Sequence, residues 1–303
     1  MSPTRMSRRG FVAAAAAVSP LAVLAREAAA ADLNLGIQMY SLRGYKAPEA
    51  LRHARDIGFS FVEFYGDMFP VNSDAAAIAA MKKKLADLGL TASAHGVNGF
   101  GGDAAAIAAM KRQLADLGLT ISAHGVNHFG ADAAANRRVF EFAKAAGIPT
   151  ITADPAPEAF ASLDELVKEF DIRIAIHNHG PKHRYNKVVD VLRAIEGRDE
   201  RIGACADLGH FIRSAEKPVE VIRLLKGRLY GVHLKDFKDM QDATTGVILG
   251  KGHLDVPAVL AALVQTGFPK NGALSLEYEE NPGNPLDDIR QCYAVARDAL
   301  NRL

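Results

Sequence analysis

Four apolar, strand-length segments in the second half of the chain end in residues that can hold a metal ion or move a proton. Ala175-Ile176 runs into His177-Asn178-His179-Gly180, Ala206 into Asp207-Leu208-Gly209-His210, Val232 into His233-Leu234-Lys235-Asp236, and Ser275-Leu276 into Glu277-Tyr278-Glu279. A single histidine at such a place is more often a hydrogen-bonded structural residue than a ligand, but His, Asp, His and Glu at four consecutive strand ends change the odds. If those ends meet, they form a mixed nitrogen and oxygen set that suits one divalent ion: Mn²⁺, Co²⁺, Mg²⁺ or Zn²⁺. Alternation along a strand places His177 and His179 on one side and Asn178 on the other. His210, three residues past Asp207, is better placed to meet a substrate or support the ligands. Lys235 can face negative charge that develops beside such an ion, or it can simply pair with Asp236 or Glu277.

What must position these residues is a series of alternating strands and helices. Strand-like runs fall near 34–40, 59–65, 90–95 or 119–124, 148–153, 172–178, 202–207, 228–234 and 272–277. Helical patterns fall between them, typically Pro48–Ile57, Ala75–Leu88, Ala134–Ala146, Leu163–Phe170, Lys187–Ile195, Pro218–Leu225, Val256–Thr266 and Leu286–Leu303, several followed by glycine. Residues 74–101 recur at 103–130 with 24 of 28 positions identical, a tandem helix–strand unit. Counted once, it leaves eight strands and eight helices, the (β/α)8 TIM barrel, α/β in class, whose chemistry sits at strand C-terminal ends. An open doubly wound sheet fits less well. Polar residues close nearly every strand, and Tyr40-Ser41-Leu42-Arg43 stands where a glycine-rich phosphate loop would follow the first strand. Nine half-units do not enter an eight-stranded wall, so one copy is expected to leave it. Ile121 against Ala92 favours the second copy for the third position.

Composition narrows the partners. The chain has 303 residues, 49% hydrophobic and 23% charged, enough for a large core. Residues 1–31 hold four arginines and one glutamate. Without them, 32 basic residues face 34 acidic ones, with no basic surplus for nucleic acid. Ser7-Arg8-Arg9-Gly10-Phe11, an apolar run and Ala28-Ala29-Ala30-Ala31 resemble a twin-arginine export signal with a small-residue cleavage site. On this reading 1–31 is removed, 32–303 is one catalytic domain, and the protein is periplasmic or secreted; an alanine-rich helix that stays attached is the alternative. The apolar run is too short for a stable membrane anchor. Cys205 and Cys292 imply no disulfide framework and are expected to be buried and inert.

The strings GIQMYSLR, HNHG, ADLGH, GVHLKD, GKGHLD and LSLEYEENP, in this order from residue 34 to the end, resemble the xylose-isomerase-like barrel superfamily of sugar isomerases, epimerases, inosose dehydratases and AP endonucleases. The resemblance implies one divalent metal on His177, Asp207, His233 and Glu277. It implies an isomerase or epimerase of a sugar or keto-sugar working through an enediolate, with Glu277 and Lys235 at the chemistry. The departure is His177, where the family commonly has glutamate, the second of two acid/base carboxylates in ketose 3-epimerases. His177 cannot copy that role unchanged. Its imidazole can bind the metal as a neutral ligand and can shuttle protons near neutral pH. Either the chemistry is altered with His177 as a catalytic group, or another residue provides the second base, Glu63 at the end of the second strand being the candidate. His210, His179, His124 and Tyr40 are candidate substrate contacts. The close alternative is a lyase or dehydratase on 3-keto-glycosides or inososes, which the export signal favours. A nuclease like the AP endonucleases lacks its D-x-H string here, and a non-catalytic sugar-binding barrel would bind without turnover. A homo-oligomer stays open.

Overall fold

The computed structural model describes residues 33–63, 65, 91–94, 123–146 and 148–303. Nine strands form one parallel sheet: β1 (Leu35–Gln38), β2 (Phe61–Glu63), β3 (Thr91–Ala94), β4 (His124–Phe129), β5 (Thr150–Pro155), β6 (Arg173–His177), β7 (Ile202–Asp207), β8 (Leu229–Leu234) and β11 (Ala273–Leu276). Their order is β3-β2-β1-β11-β8-β7-β6-β5-β4, so the last strand returns beside the first, with Leu35 opposite Leu274. That return is the closure of a single-domain α/β barrel. β9 (Asp236–Phe237) and β10 (Gly246–Val247) form a separate antiparallel pair. Among the described residues the helices are α1 (Ala47–Ile57), α2 (Ala133–Ala146), α3 (Phe160–Phe170), α4 (Val188–Ile195), α5 (Leu208–Arg213), α6 (Pro218–Leu224), α7 (Val256–Thr266) and α8 (Leu286–Asn301).

Every residue of β5, β7 and β8 is buried, as a parallel sheet covered on both faces requires. Local chemistry sets the helix ends. The Asp255 side chain accepts from Ala258 N at the start of α7, and Gly267 closes that helix at φ 74°. Because all nine strands run parallel, their C-terminal ends reach one rim. Asp207 lies opposite His233, Ser275 opposite His233, and Gln38 opposite Glu63.

The third barrel position corrects an expectation. The first copy of the repeat does not leave the wall: Thr91–Ala94 pairs with β2, Phe61 opposite Thr91. The second copy also contributes, from its His124 onward, pairing with β5. Both copies therefore supply a wall strand, and among the described residues no ladder joins β3 to β4. The difference in strand propensity between Ala92 and Ile121 is at most about 1 kcal/mol, too little to outweigh the backbone bonds that the open edge of β2 offers either copy. The expected export signal, the helix Ala75–Leu88, His95 and Ile121 lie outside the described residues.

Past β8 the alternation turns Lys235 and Asp236 to opposite sides. Asp236, buried, accepts four backbone N–H groups, from Gly250, Gly252, His253 and Leu254, at 2.8–2.9 Å. The string GKGHLD is thus a loop wrapped on one carboxylate, and a Cβ on Gly252 would stand 2.0 Å from Phe237 O. Replacing Asp236 by alanine strands four N–H donors, so Asp236→Ala is expected to lose about 3–5 kcal/mol of unfolding free energy in urea denaturation, and Asp236→Asn less. An Asp236→Ala protein as stable as the wild type would show that the loop is held otherwise.

Candidate metal centre

Asp207 ends β7 and caps α5: its Oδ1 accepts from His210 N at 2.8 Å, which frees Oδ2 to point into the mouth of the barrel. Its backbone is fixed by Asn178, whose Oδ1 accepts from Asp207 N at 2.8 Å and whose Nδ2 donates to Asp207 O at 3.0 Å. Around Oδ2 stand Lys235 Nζ at 3.1 Å, His210 Nε2 and His233 Nδ1 at 3.7 Å, and His177 Nε2 at 3.9 Å. Burial resists ionisation of Asp207, but the surrounding His210, Lys235, His233 and His177 hold its carboxyl well below the usual range.

His177, at the end of β6, places Nε2 3.3 Å from His233 Nδ1, near the end of β8. Burial pushes the His177 pKa well down, so its imidazole is neutral and has a lone pair to give. His233 is held from behind: its Nε2 faces Glu63 Oε1 at 3.3 Å, and Ser275 Oγ donates to the other oxygen of Glu63. Glu63 is 1% exposed, enclosed beneath the histidine. On its other side, His233 Nδ1 lies 3.2 Å from Glu277 Oε2. Burial opposes a charge on His233, yet the side chains of Glu63, Glu277 and Asp207 around it raise its pKa above the ordinary value.

Lys235 reaches the same point. Its Nζ lies 2.9 Å from Glu277 Oε2 and 3.0 Å from Glu279 Oε1, besides Asp207. Burial disfavours the ammonium, but the carboxylates of Asp207, Glu277 and Glu279 outweigh it and hold the lysine charged. Burial likewise opposes a charge on Glu277, and Lys235 and His233 keep its carboxyl below the ordinary range. Lys235 crosses the first turn of α5 so closely that a Cβ on Gly209 would meet its Cγ at 2.5 Å, which accounts for the glycine in ADLGH.

The remaining candidates form a rim. His179 lies edge-on to His177 and tilted against His183, ring centroids 4.7 and 4.3 Å away, and its Nδ1 is buried without a hydrogen-bond partner. His210 Nδ1 is in the same condition, and burial drives the His210 pKa down to about 3. Tyr40, 38% exposed, packs edge-on against Tyr65 at 5.1 Å and carries the Arg43 guanidinium 4.5 Å over its ring. Arg43 also donates to the Glu279 carbonyl, tying this aromatic wall to the lysine cluster. His124 begins β4, but its side chain lies outside the described residues. The sequence reading passed over Glu279 and Asp154. Glu279 follows Glu277 by two, the spacing that puts both on one side of an extended segment.

The donor set fits a divalent ion. His177, Asp207 and His233 each offer a ligand atom within 4.8 Å of the others, all buried, and Glu277 adjoins them. Three buried acidic side chains, Glu63, Asp207 and Glu277, crowd the Lys235 ammonium and His233, and a dication taking the place of the His233 proton would balance them. A cleft at the opposite, N-terminal face holds Arg173 and Arg201, but these are already engaged by Asn271 and by Asp171 and Asp199. Cys205 and Cys292 are unpaired and buried, and burial pushes both thiol pKa values up. Among the described residues no helix is long and apolar enough to cross a membrane.

Comparison with known proteins agrees with this geometry. MocC, a rhizopine catabolism protein of Rhizobium meliloti, is 30% identical over 136 residues, 40% of this chain and 41% of that protein. An inosose dehydratase of Clostridium botulinum is 25% identical over 143 residues, 41% of this chain and 47% of that protein. The chain thus spans less than half the length of these curated relatives in the matched regions. The structure of the IolI protein with a bound zinc atom has the same fold, with a TM-score of 0.62 at 15% identity over 89% of this chain and 99% of that one. The profile of the xylose isomerase-like TIM barrel family matches residues 51–298, and the chain belongs to that family.

Proposed function

We propose that the protein is a metal-dependent enzyme that removes a proton beside the carbonyl of an uncharged keto-sugar and returns it to the same molecule, as an isomerase or epimerase does. The observation that carries this reading is the contact of Lys235 Nζ with Glu277 Oε2 at 2.9 Å, beside the His177, Asp207 and His233 cluster. It puts a carboxylate base, a fixed cation and a metal-competent donor set in one buried mouth. His177, Asp207, His233 and Glu277 would hold the ion, which when bound supplies Lewis acidity that lowers the pKa of the neighbouring C–H. Glu277, kept ionised against burial by Lys235, takes the proton. Lys235, kept charged by three carboxylates, faces the negative charge that develops on the substrate oxygen. Glu63, bonded to His233 and Ser275, orients the histidine, and we assign it that role in place of the second base.

A specific observation favours elimination as a second reading. With an imidazole at His177, the centre has one carboxylate base beside a permanent ammonium, a pair that can remove an α-proton and assist a departing β-hydroxyl. The similarity to inosose dehydratases supports the same reading. The export signal expected in residues 1–31 supports a substrate met outside the cytoplasm, a free sugar or glycoside rather than a sugar phosphate.

Incubating the metal-loaded protein in D₂O with a panel of uncharged ketoses, inososes and 3-keto-glycosides separates the two. Deuterium gained without mass loss marks the isomerase, and loss of water or of a glycoside marks the lyase. No exchange and no loss in any compound would overturn both. Glu277→Gln is expected to slow exchange about 10²–10⁴-fold with an unchanged far-ultraviolet spectrum; full activity in that variant would remove Glu277 as the base. Glu63→Gln is expected to weaken Mn²⁺ or Zn²⁺ binding about 10–100-fold by calorimetry, and an unchanged affinity would detach Glu63 from the centre.

A further inference from the structure

Asp154 stands at the C-terminal end of β5, at the same rim as the metal centre but outside it. It is 7% exposed, yet its Oδ1 has no hydrogen-bond donor. The nearest cation to that oxygen is Arg184 Nε at 3.6 Å, on a side chain 45% exposed. The other oxygen, Oδ2, is flanked by His183 Nε2 and His128 Nδ1, each at 3.4 Å, with His128 opposite Asp154 in the ladder. His183 is oriented by its neighbour: Tyr185 N donates to Nδ1 at 3.3 Å, so in the neutral ring Nε2 carries the proton and points at the carboxylate. That tautomer puts the ring proton on the nitrogen nearest Asp154, 3.4 Å away, and makes His183 a poor metal ligand. The loop between them is fastened to the strand, with Tyr185 Oη donating to Pro155 O at 2.6 Å and His179 N to Tyr185 O at 3.1 Å. Ring contacts of 4.7 Å from His177 to His179 and 4.3 Å from His179 to His183 make a continuous polar line from the metal centre to Asp154.

Two buried acceptor-capable atoms on this line, Asp154 Oδ1 and His179 Nδ1, lack partners. A buried polar atom left unpaired is costly, and it is satisfied when a ligand supplies the missing group. We propose that Asp154, with His179 and His183, forms a hydroxyl-binding subsite that takes the end of the substrate remote from its carbonyl, and that this end is an uncharged polyol. Hydroxyl groups donate to the unpartnered Asp154 oxygen once the half-exposed Arg184 side chain turns aside, whereas a phosphate ester dianion at this end has no hydrogen to donate to it. The inference rests on the keto-sugar reading and adds its specificity element.

The test compares metal-loaded wild type, Asp154→Asn and Asp154→Ala on the uncharged ketose and inosose panel and on the phosphate esters of the same sugars. Binding is followed by calorimetry, and deuterium exchange by its KM and kcat. The expected result is that the wild type takes the uncharged compound in preference to its ester. Asp154→Ala should raise KM or Kd for it about 10–100-fold with kcat within about threefold, and narrow the preference over the ester. Metal affinity and thermal midpoint, measured on each variant, show whether the fold and centre are intact. Binding without proton exchange by the wild type would sink the keto-sugar chemistry but leave the subsite to the binding data. Unchanged affinity in both Asp154 variants, a wild-type preference for the ester, or no binding of any uncharged compound would overturn the subsite.

Discussion

The centre depends on a division of labour between the two oxygens of Asp207. One caps α5 through His210 N, and the other faces Lys235 and three histidines. A carboxylate free to rotate would lose side-chain entropy on gathering such partners, but here the cap fixes the rotamer before any ligand arrives. Asn178 fixes the backbone of the same residue by bonding both its N–H and its C=O. The strand end, the helix start and the geometry of the mouth are thus set by a single side chain, and Asn178 and Gly209 take their places around it.

The same economy appears one strand further on. Lys235 points into the centre, and its neighbour Asp236 points away and gathers the loop from Gly250 to Leu254. The lysine is surrounded by carboxylates on rigid strand ends, so it holds its charge although buried. An ammonium kept in place this way needs no reorganisation when negative charge appears beside it, which is the condition for electrostatic catalysis.

Much of this was legible before the fold. Parallel strands buried on both faces read as apolar runs, and the polar residues that end them stand out: His177, Asp207, His233 and Glu277 do meet at one rim. Alternation foretold that Asn178 would turn away from the histidines that flank it. What the sequence did not show is pairing over long separations. Glu63 and Ser275, 212 positions apart, share a hydrogen bond that no local pattern announces. Asp154 was hidden for a related reason, since its meaning comes from His128 across the ladder and from the loop carrying His183. The helix Leu208–Arg213 escaped notice because six residues are too few for a periodic pattern. Strand propensity alone misplaces the repeat, because it takes no account of the backbone bonds that the edge of β2 offers to Thr91–Ala94.

That edge has a consequence of its own. LTASAH and LTISAH are near-synonyms in sequence, and it is the first of them, through Thr91–Ala94, that pairs with β2. The seam between β3 and β4 falls within the repeated segment, whereas the ligand-bearing strands β6, β7, β8 and β11 are joined by unbroken ladders elsewhere in the sheet, so a change of length at the seam need not disturb their register.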